Sequence, residues 1–459
     1  MAATHDLLML DALGPAGAYQ TRERQTITDV AGHPLAELSQ VPRLFVTRAM
    51  AALRKADPLP VDERVAAIAR AGELYAGVVD GVPIADHEHL VSRTTGLPIC
   101  VVREATQMIA RSAAEAYSSA QAARPAGAVN DWRDPLTHAG RGVWTRRGEV
   151  FAVHAPGNEP AVHGLWLEAL ALGYRVAVRP SSRDPFTPHR LISALRASGF
   201  RDDQIVLLPS SHDVAEEIIR AADLALAYGG ANLMRKYAGL ASMLPQGPGR
   251  SKILLTAEAD WREHLDVIVS SVSAMAGRAC TNTTAVFVEG DPTPVAQAIA
   301  ERLSALPSLP PEDEHAVLPV LPLAEAQPLE DHLLAKAQGT RAWLGGDGII
   351  DDLGDGSAVL RPAVHQLARP DAPQAGIELA FPCVWVAPWT RESGLEPLKD
   401  TLVLTAITAD TELVDALVAD PTIRNVYVGD RPTWWLEPGI PHDGYLGGFL
   451  MGAKAVIRD

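Results

Sequence analysis

Residues 150–160 read VFAVHAPGNEP, and this stretch decides the interpretation of the fold. The short apolar run at 150–153 predicts a strand. The turn that follows contains Gly157 and ends the strand, and Pro160 occupies a favoured first position of a helix. A strand that leads through a turn directly into a helix is the first half of a parallel βαβ unit.

The alternation of strands and helices continues as far as residue 255. Apolar runs predict further strands over 176–178, 205–208, 224–228 and 253–255. Apolar residues three and four apart predict helices between these runs, over 187–198 and over 214–222, the latter capped by Asp213. Ligands bind at the carboxyl ends of such parallel strands, so we expect an α/β nucleotide-binding domain in this region.

A second alternation begins at residue 283. It predicts strands over 285–288, 384–386, 402–405 and 425–428, with helices over 294–303 and 412–418. The first 125 residues are predicted to be mainly helical. Two α/β domains would therefore meet near residues 248–282, and binding sites commonly lie in such clefts.

Composition excludes several classes of protein. The 459 residues are 47% hydrophobic and carry a formal net charge of −16, which argues against nucleic acid or an anionic membrane as a partner. Three cysteines cannot form a disulfide framework and fit a reducing cytoplasm. The first twelve residues contain Asp6 and Asp11 without a basic region, so we expect neither a secretory signal nor a membrane span, and a cytoplasmic enzyme.

Cys280 is the candidate nucleophile. Small residues precede it in the stretch 276–282, AGRACTN, and Arg278 adds positive charge that would favour a thiolate. The alternative is that Cys280 is a small buried hydrophobic residue, the commoner role of a free cysteine. Cys100 and Cys383 lie in apolar stretches and fit that alternative better.

Asn158 is the second candidate catalytic residue. It follows a predicted strand, where its side-chain amide could donate a hydrogen bond to a developing oxyanion. The alternative role is capping of the helix that follows. The stretch 86–89, DHEH, could suggest a metal site, but it lacks a partner cluster, so we expect no metal.

Six motifs, in their order along the chain, resemble those of the aldehyde dehydrogenase superfamily. They are HAPGNEP at 154–160 for the oxyanion asparagine, RPSS at 179–182 for Lys-Pro-Ser-Glu, QGPGRS at 246–251 for Glu-Leu-Gly-Gly-Lys-Ser, GRAC at 277–280 for the nucleophile, ELAFP at 378–382 for Glu-x-Phe-Gly-Pro, and PHDGYLGGF at 441–449 for the C-terminal Gly-Gly-Phe segment.

The resemblance implies an α/β fold with two domains of parallel sheets and a small oligomerisation element. The cofactor-binding domain would comprise 1–128 and 146–250, and the catalytic domain 251–432. The hairpin and C-terminal arm at 129–145 and 433–459 would assemble a homodimer or homotetramer. Strands at 142–145, 148–153 and 453–457 are the candidates for that element.

The resemblance also implies roles for individual residues. Cys280 would be the nucleophile, and Asn158 would form the oxyanion hole with the Cys280 backbone N–H. Gln246 stands where the family has its general base. The implied cofactor-binding residues are Arg179, Ser181, Ser182, Gly229, Gly230 and Glu378.

Departures from the family pattern carry information. Gln246 replaces a glutamate and cannot deprotonate water, so hydrolysis of a Cys280 thioester should be slow. Ser182 replaces a glutamate that would repel a 2′-phosphate, and Arg179 or Arg183 could pair with that group. We therefore expect NADP(H) as the preferred cofactor, with NAD(H) as the alternative.

The leading hypothesis is reduction of an acyl thioester to an aldehyde, because several of the motifs also look like those of the fatty-acyl reductase branch. The thioester would be carried by coenzyme A or by an acyl carrier protein. The first alternative is oxidation of an aldehyde to an acid or to an acyl-CoA. The second is a catalytically inactive scaffold, against which Cys280, Asn158 and Glu378 together argue.

Overall fold

The computed structural model describes residues 7–459, so half of the N-terminal stretch interpreted above lies outside the described residues. Residues 7–128 hold five short strands followed by helices and a small hairpin. These elements are β1 (Leu8–Leu10), β2 (Ala12–Gly14), β3 (Gly17–Tyr19), β4 (Arg24–Thr28), β5 (Pro34–Ser39), α1 (Arg43–Lys55), α2 (Val61–Tyr75), β6 (Val78–Val79), β7 (Val82–Pro83), α3 (Ile84–Thr95) and α4 (Ile99–Gln121).

The expectation of a mainly helical N-terminal region is confirmed after residue 42 and wrong before it. Strands β1, β5 and β4 form a three-stranded sheet of their own, and β2 and β3 extend the central sheet. Three of these strands have only three residues. Such short strands are below the length at which an alternating apolar pattern can be recognised.

The next segment builds a seven-stranded sheet. Its elements, with the preceding strand β8, are β8 (Arg141–Arg146), β9 (Val150–His154), α5 (Leu167–Ala171), β10 (Arg175–Arg179), α6 (Phe186–Ala197), β11 (Ile205–Leu207), α7 (His212–Ala221), β12 (Leu224–Tyr228), α8 (Ala231–Tyr237) and β13 (Met243–Gln246). The sheet order is β13-β12-β9-β10-β11-β2-β3, and the first five strands are parallel. The predicted parallel α/β domain is confirmed. The prediction that Asp213 caps α7 is wrong, because α7 begins at His212 and the Asp213 carboxylate accepts a hydrogen bond from the Ser211 hydroxyl.

The strand order places a binding crevice at the end of β9. The chain leaves β9 towards β10 on one side and returns as β12 on the other. Connections that diverge in this way open a crevice at the carboxyl ends of the two central strands, where ligands bind in open α/β sheets. Residues 155–160 and the Gly229–Gly230 turn both lie at this crevice.

Alternate side chains of β9 enter different cores, which explains its unbroken apolar sequence. Phe151 and Val153 pack on one face of the sheet, and Val150 and Ala152 pack on the other. All four are at most 1% exposed. Burial of each large side chain contributes about 1.5–3 kcal/mol to the free energy of folding.

A second seven-stranded sheet follows. Residues 251–428 form β14 (Ser251–Leu255), α9 (Leu265–Ser273), β15 (Thr283–Glu289), α10 (Thr293–Ser304), β16 (Val320–Pro322), α11 (Leu323–Lys336), β17 (Arg341–Leu344), β18 (Ile350–Asp352), β19 (Ser357–Leu360), β20 (Ala363–Gln366), β21 (Cys383–Trp389), β22 (Thr401–Ile407), α12 (Thr411–Ala419) and β23 (Ile423–Val428). The order is β17-β20-β21-β15-β14-β22-β23, parallel except for β17. The strand predicted at 253–255 is part of β14 and opens this second sheet.

The predicted oligomerisation hairpin is only partly present. After α13 (Leu446–Leu450), the last strand β24 (Met451–Val456) pairs antiparallel with β8. The second strand proposed for the hairpin, 148–153, instead contributes β9 to the central sheet, because its apolar side chains are needed in both cores. Within residues 7–459, no helix is long and apolar enough to cross a bilayer.

Candidate active site

Three loops meet because they precede three neighbouring strands. In the second sheet β15 lies between β14 and β21, and the strands are parallel, so their amino ends adjoin. Gly249 precedes β14, Cys280 precedes β15 and Pro382 precedes β21. The motifs around residues 246–251, 277–280 and 378–382, which are distant in sequence, are therefore adjacent in the structure.

Two glycines allow these loops to touch. A β-carbon on Gly249 would lie 1.8 Å from the Cys280 carbonyl oxygen. Gly277 has φ +66°, and a β-carbon on it would lie 2.3 Å from the Pro382 nitrogen. The Ser251 hydroxyl donates to the same Cys280 carbonyl at 3.0 Å. Only glycine fits at either position, and the loop that carries the nucleophile is consequently clamped from both sides.

Asn282 supports the nucleophile loop from within, a role that the sequence did not suggest. Its Oδ1 accepts from the Ala279 N–H at 2.8 Å, and its Nδ2 donates to the Ala274 carbonyl at 2.8 Å. Met275 and Ala276 both adopt left-handed backbone conformations, with φ of 50° and 57°. Non-glycine residues in this region are strained, and such strain is retained where the surroundings determine the backbone.

Asn158 joins the two domains. Its Nδ2 donates to the Arg278 carbonyl at 2.8 Å, which links the end of β9 to the loop of Cys280. The alternative role of Asn158 as a helix cap is wrong, because Glu159 caps the following 3₁₀ turn by accepting from the Ala161 N–H. An amide nitrogen has two hydrogens, so Asn158 keeps a second donor in addition to this interdomain bond.

The Cys280 thiol is protonated at rest. Burial, and to a lesser extent the nearby carboxylates of Glu378, Glu159 and Asp443, raises its pKa to about 12. The expectation that Arg278 favours a thiolate is wrong, because its guanidinium is buried and donates to the Thr95 carbonyl at 2.6 Å. The sulfur therefore needs a base before it can attack a carbonyl group.

Glu378 and Gln246 lie in the loops around the cysteine. The Glu378 carboxylate accepts from the Arg250 N–H at 2.7 Å, and burial raises its pKa. Gln246 is half-buried at the end of β13, and its carbonyl accepts from the Gly229 N–H at 3.0 Å. Both residues thus border the junction between the crevice and the loop of Cys280.

The candidate cofactor residues other than Glu378 lie along the carboxyl edge of the first sheet. Gly229 and Gly230 are exposed at the end of β12. Arg179, at the end of β10, donates to the Ser210 carbonyl through Nε at 3.2 Å and through Nη2 at 2.9 Å. Ser181 packs against Gly157, where a β-carbon would come within 2.4 Å of its hydroxyl.

The fit of this edge to a dinucleotide rests on unsatisfied polar atoms. The Ser210 hydroxyl and His154 Nε2 are buried without a hydrogen-bond partner among the described residues. Both lie at carboxyl ends of strands, where the crevice would receive a ligand's hydroxyl or phosphate groups. Arg183 does not fit the predicted role of binding a 2′-phosphate, because its guanidinium already forms an ion pair with Glu325.

His442 is the residue that sequence reasoning missed. Its Nε2 lies 3.7 Å from the Cys280 sulfur, within hydrogen-bonding distance for sulfur. The C-terminal motif that contains it was interpreted only through its glycines and Phe449. No sequence signal distinguishes this histidine from others, because it approaches the cysteine from 162 positions further along the chain.

Solved structures of known proteins share this fold. The solved structure of an indole-3-acetaldehyde dehydrogenase in complex with NAD⁺ superimposes with a TM-score of 0.83 at 18% identity, covering 97% of this chain and 96% of that one. The aldehyde dehydrogenase KauB of Pseudomonas aeruginosa gives a TM-score of 0.83 at 17% identity, with 97% and 96% covered.

Sequence comparison gives the family. An aldehyde-dehydrogenase-like protein of Sinorhizobium fredii is 22% identical over 261 residues, a match that covers 51% of this chain and only half of that relative's length. Residues 18–395 match the sequence model of the aldehyde dehydrogenase family. That match extends over most of the chain and includes the loops of Asn158, Gln246, Cys280 and Glu378, so the protein belongs to the aldehyde dehydrogenase family.

Proposed function

We propose that the chain is a nicotinamide-dependent aldehyde dehydrogenase that oxidises an aldehyde through a covalent bond to Cys280. The observation that carries the proposal is the hydrogen bond from Asn158 to the Arg278 carbonyl, which holds an amide donor of one domain against the loop that carries the Cys280 thiol of the other. Family membership and the NAD⁺-bound relative support the same reaction class.

The residues of this chain would act in sequence on the aldehyde. The Cys280 sulfur would bond to the carbonyl carbon as its S–H bond breaks and the proton passes to a base, and the carbonyl π pair would move to the oxygen to give an oxyanion. The second N–H of Asn158 and the Cys280 backbone N–H donate to that oxygen, an arrangement commonly worth about 10²–10³-fold in rate per donor. A bound nicotinamide supplies the acceptor for the hydride. Glu378 and the Gly229–Gly230 turn would orient it from the crevice.

A second candidate function is reduction of an acyl thioester to an aldehyde. Gln246 favours it, because an amide in place of the family's carboxylate cannot take a proton from water. An acyl group on Cys280 would then persist long enough to accept a hydride or a thiol. The carrier of the acyl group would be coenzyme A or an acyl carrier protein.

One assay separates the two candidates. The absorbance of reduced nicotinamide is followed with a panel of aldehydes plus NAD(P)⁺, with and without coenzyme A, and with matching acyl-CoA esters plus NAD(P)H. Faster turnover in the oxidative direction supports the dehydrogenase. Turnover confined to acyl-CoA reduction would reject it in favour of the reductase, and no turnover in either direction with any substrate would favour an inactive scaffold.

The proposed cofactor is NADP(H) in preference to NAD(H). Ser182 is exposed near the end of β10, where a glutamate would repel a 2′-phosphate, and Arg179 lies at the same strand end. We expect Ser182→Glu to weaken NADPH binding about tenfold or more, the scale of a hydrogen bond to a charged group. Fluorescence titration with both cofactors measures this, with Ser182→Gln as the neutral control. Tighter binding of NADH by the wild type would contradict the preference.

The proposed assembly is a homodimer or homotetramer. In the two-stranded sheet of β8 and β24, the outer edge of β24 pairs with no other strand of residues 7–459, and Trp132, Leu136 and Ile457 are exposed close to the sheet. Uncovered edges with apolar neighbours usually pair with another chain. Light scattering at micromolar concentration should give two or four times the monomer mass, and Ile457→Asp should lower it while Leu44→Asp, also exposed, does not. A monomeric mass for the wild type would contradict the assembly.

A further inference from the structure

We propose that His442 is the base that takes the proton of Cys280 when its sulfur attacks the substrate. The inference rests on the proposed function, because it assigns the proton acceptor for the same nucleophile. It arises from the contact of 3.7 Å between His442 Nε2 and the Cys280 sulfur. Within residues 7–459, no other side chain makes a hydrogen-bonding contact with that sulfur.

The imidazole of His442 is directed at the sulfur alone. Its other ring nitrogen, Nδ1, is buried and has no hydrogen-bond partner among the described residues. The thiol is therefore the sole polar contact of this ring in the described part of the chain. A desolvated imidazole with one partner is poised for proton transfer to and from that partner.

The backbone of His442 is fixed by the second sheet. Asn425 in β23 donates through Nδ2 to the His442 carbonyl and, at 2.8 Å, to the Leu402 carbonyl of β22. Asp443 pairs with Arg424 at 3.0 Å. These bonds hold the C-terminal segment against the edge of the sheet, so the imidazole does not depend on a mobile loop for its position.

Burial keeps both partners of the pair neutral at rest, and the surrounding charged groups modify its effect. Glu378, Glu159 and Asp443 face Cys280 and raise the thiol pKa, whereas burial lowers the pKa of His442 and Asp443 opposes that change. Tyr228 lies near both Cys280 and Asp443, and burial raises its pKa. The proton would move only as the sulfur's negative charge passes to the carbonyl oxygen, so the pair differs from a preformed thiolate–imidazolium pair.

The proton transfer balances in both directions of the proposed reaction. As the S–C bond forms, the S–H electron pair makes the new bond, the carbonyl π pair goes to oxygen, and the proton goes to His442 Nε2. When the C–S bond breaks, the sulfur regains its electron pair and the imidazolium returns the proton. His442 would thus serve the attack by the thiol, a step distinct from the activation of water, for which Gln246 offers no basic group.

Alkylation of the resting protein tests the pair without substrate or cofactor. Iodoacetamide is added to wild type, His442→Gln and His442→Ala across neutral pH, and modification of the peptides with Cys280 and with exposed Cys100 is followed by mass spectrometry. His332→Ala, which removes an exposed histidine on α11, is the matched control. Equal unfolding midpoints would show that the variants fold.

The expected result is a loss of Cys280 reactivity in both His442 variants of about tenfold or more at neutral pH. The wild-type rate should be nearly flat with pH while the imidazole is neutral, whereas the variant rates should rise roughly tenfold per pH unit with the thiolate fraction. Added imidazole should restore part of the rate in His442→Ala. Cys100 should be unaffected throughout.

Equal Cys280 rates and pH profiles in wild type and His442→Gln would overturn the inference. The result is separable from the proposed function, which is judged by turnover of aldehydes or thioesters. Turnover with equal alkylation profiles would reject His442 as the base and leave the dehydrogenase standing. Altered profiles without turnover on any substrate would retain the Cys280–His442 pair and reject the dehydrogenase.

Discussion

Cys280→Ala is expected to abolish turnover, with a loss on the order of 10⁴-fold or more, the scale seen when a covalent nucleophile is removed. The variant should still bind nicotinamide, because the candidate cofactor residues lie along the first sheet or, for Glu378, in the loop before β21, and none lies on the cysteine loop. Steady-state assays and cofactor titration measure the two properties separately. The substitution should also leave the loop in place, because the Ser251 hydroxyl donates to the backbone carbonyl of residue 280, which alanine retains.

The other two cysteines are the matched controls for that experiment. Cys383 is buried in β21, and burial raises its pKa well above the usual thiol range, so it should be inert. Cys100 is exposed on α4. Cys100→Ala and Cys383→Ala should therefore keep the turnover of the wild type. Substantial activity in Cys280→Ala, together with its loss in Cys383→Ala, would show that the nucleophile has been assigned wrongly.

Gln246→Glu is expected to accelerate release of the acid from an acylated Cys280. General bases commonly contribute about 10²–10⁴-fold, so even an imperfectly placed carboxylate should be measurable. Gln246 is half-buried at the end of β13, where its backbone carbonyl bonds the Gly229 turn, and it lies three residues before Gly249, which contacts the loop of Cys280. Oxidation of aldehyde to free acid, and hydrolysis of an acyl-CoA, should both increase relative to thioester reduction.

The control for this variant is Gln246→Asn, which shortens the amide without adding a charge and should not accelerate hydrolysis. Rapid oxidation of aldehyde to free acid by the wild type, without added thiol and with no gain in Gln246→Glu, would contradict the prediction. Another group would then activate water, and the absence of a carboxylate at position 246 would carry no information about the direction of the reaction.

Strands with continuous apolar sequence were predictable, whereas the short strands before residue 42 were not. The run 150–153 predicts β9 because both faces of a central strand must be apolar, whereas β1 and β2 have three residues each and show no pattern. The pairing of β8 with β24 was also missed. Its partners are more than 300 residues apart, and neither strand's sequence specifies which neighbour it will have.

The short motifs made it possible to predict that the candidate site residues lie near one another, but not which contacts each side chain makes. The motifs place Asn158, Cys280 and Glu378 near one another because each lies at the end or the beginning of a parallel strand. The orientation of Arg278 towards Thr95 depends on burial against the N-terminal helices, which the sequence does not reveal. The approach of His442 likewise depends on how the last segment crosses the second sheet.

The most direct test of the central claim is to trap the acyl group on the protein. Wild type is mixed with an aldehyde that it oxidises and with NAD(P)⁺, quenched in acid, digested and analysed by mass spectrometry. We predict that the acyl mass is found on the peptide containing Cys280, and that it accumulates because Gln246 cannot activate water. Product formation with no adduct on Cys280, or with the acyl group on another residue, would contradict the account.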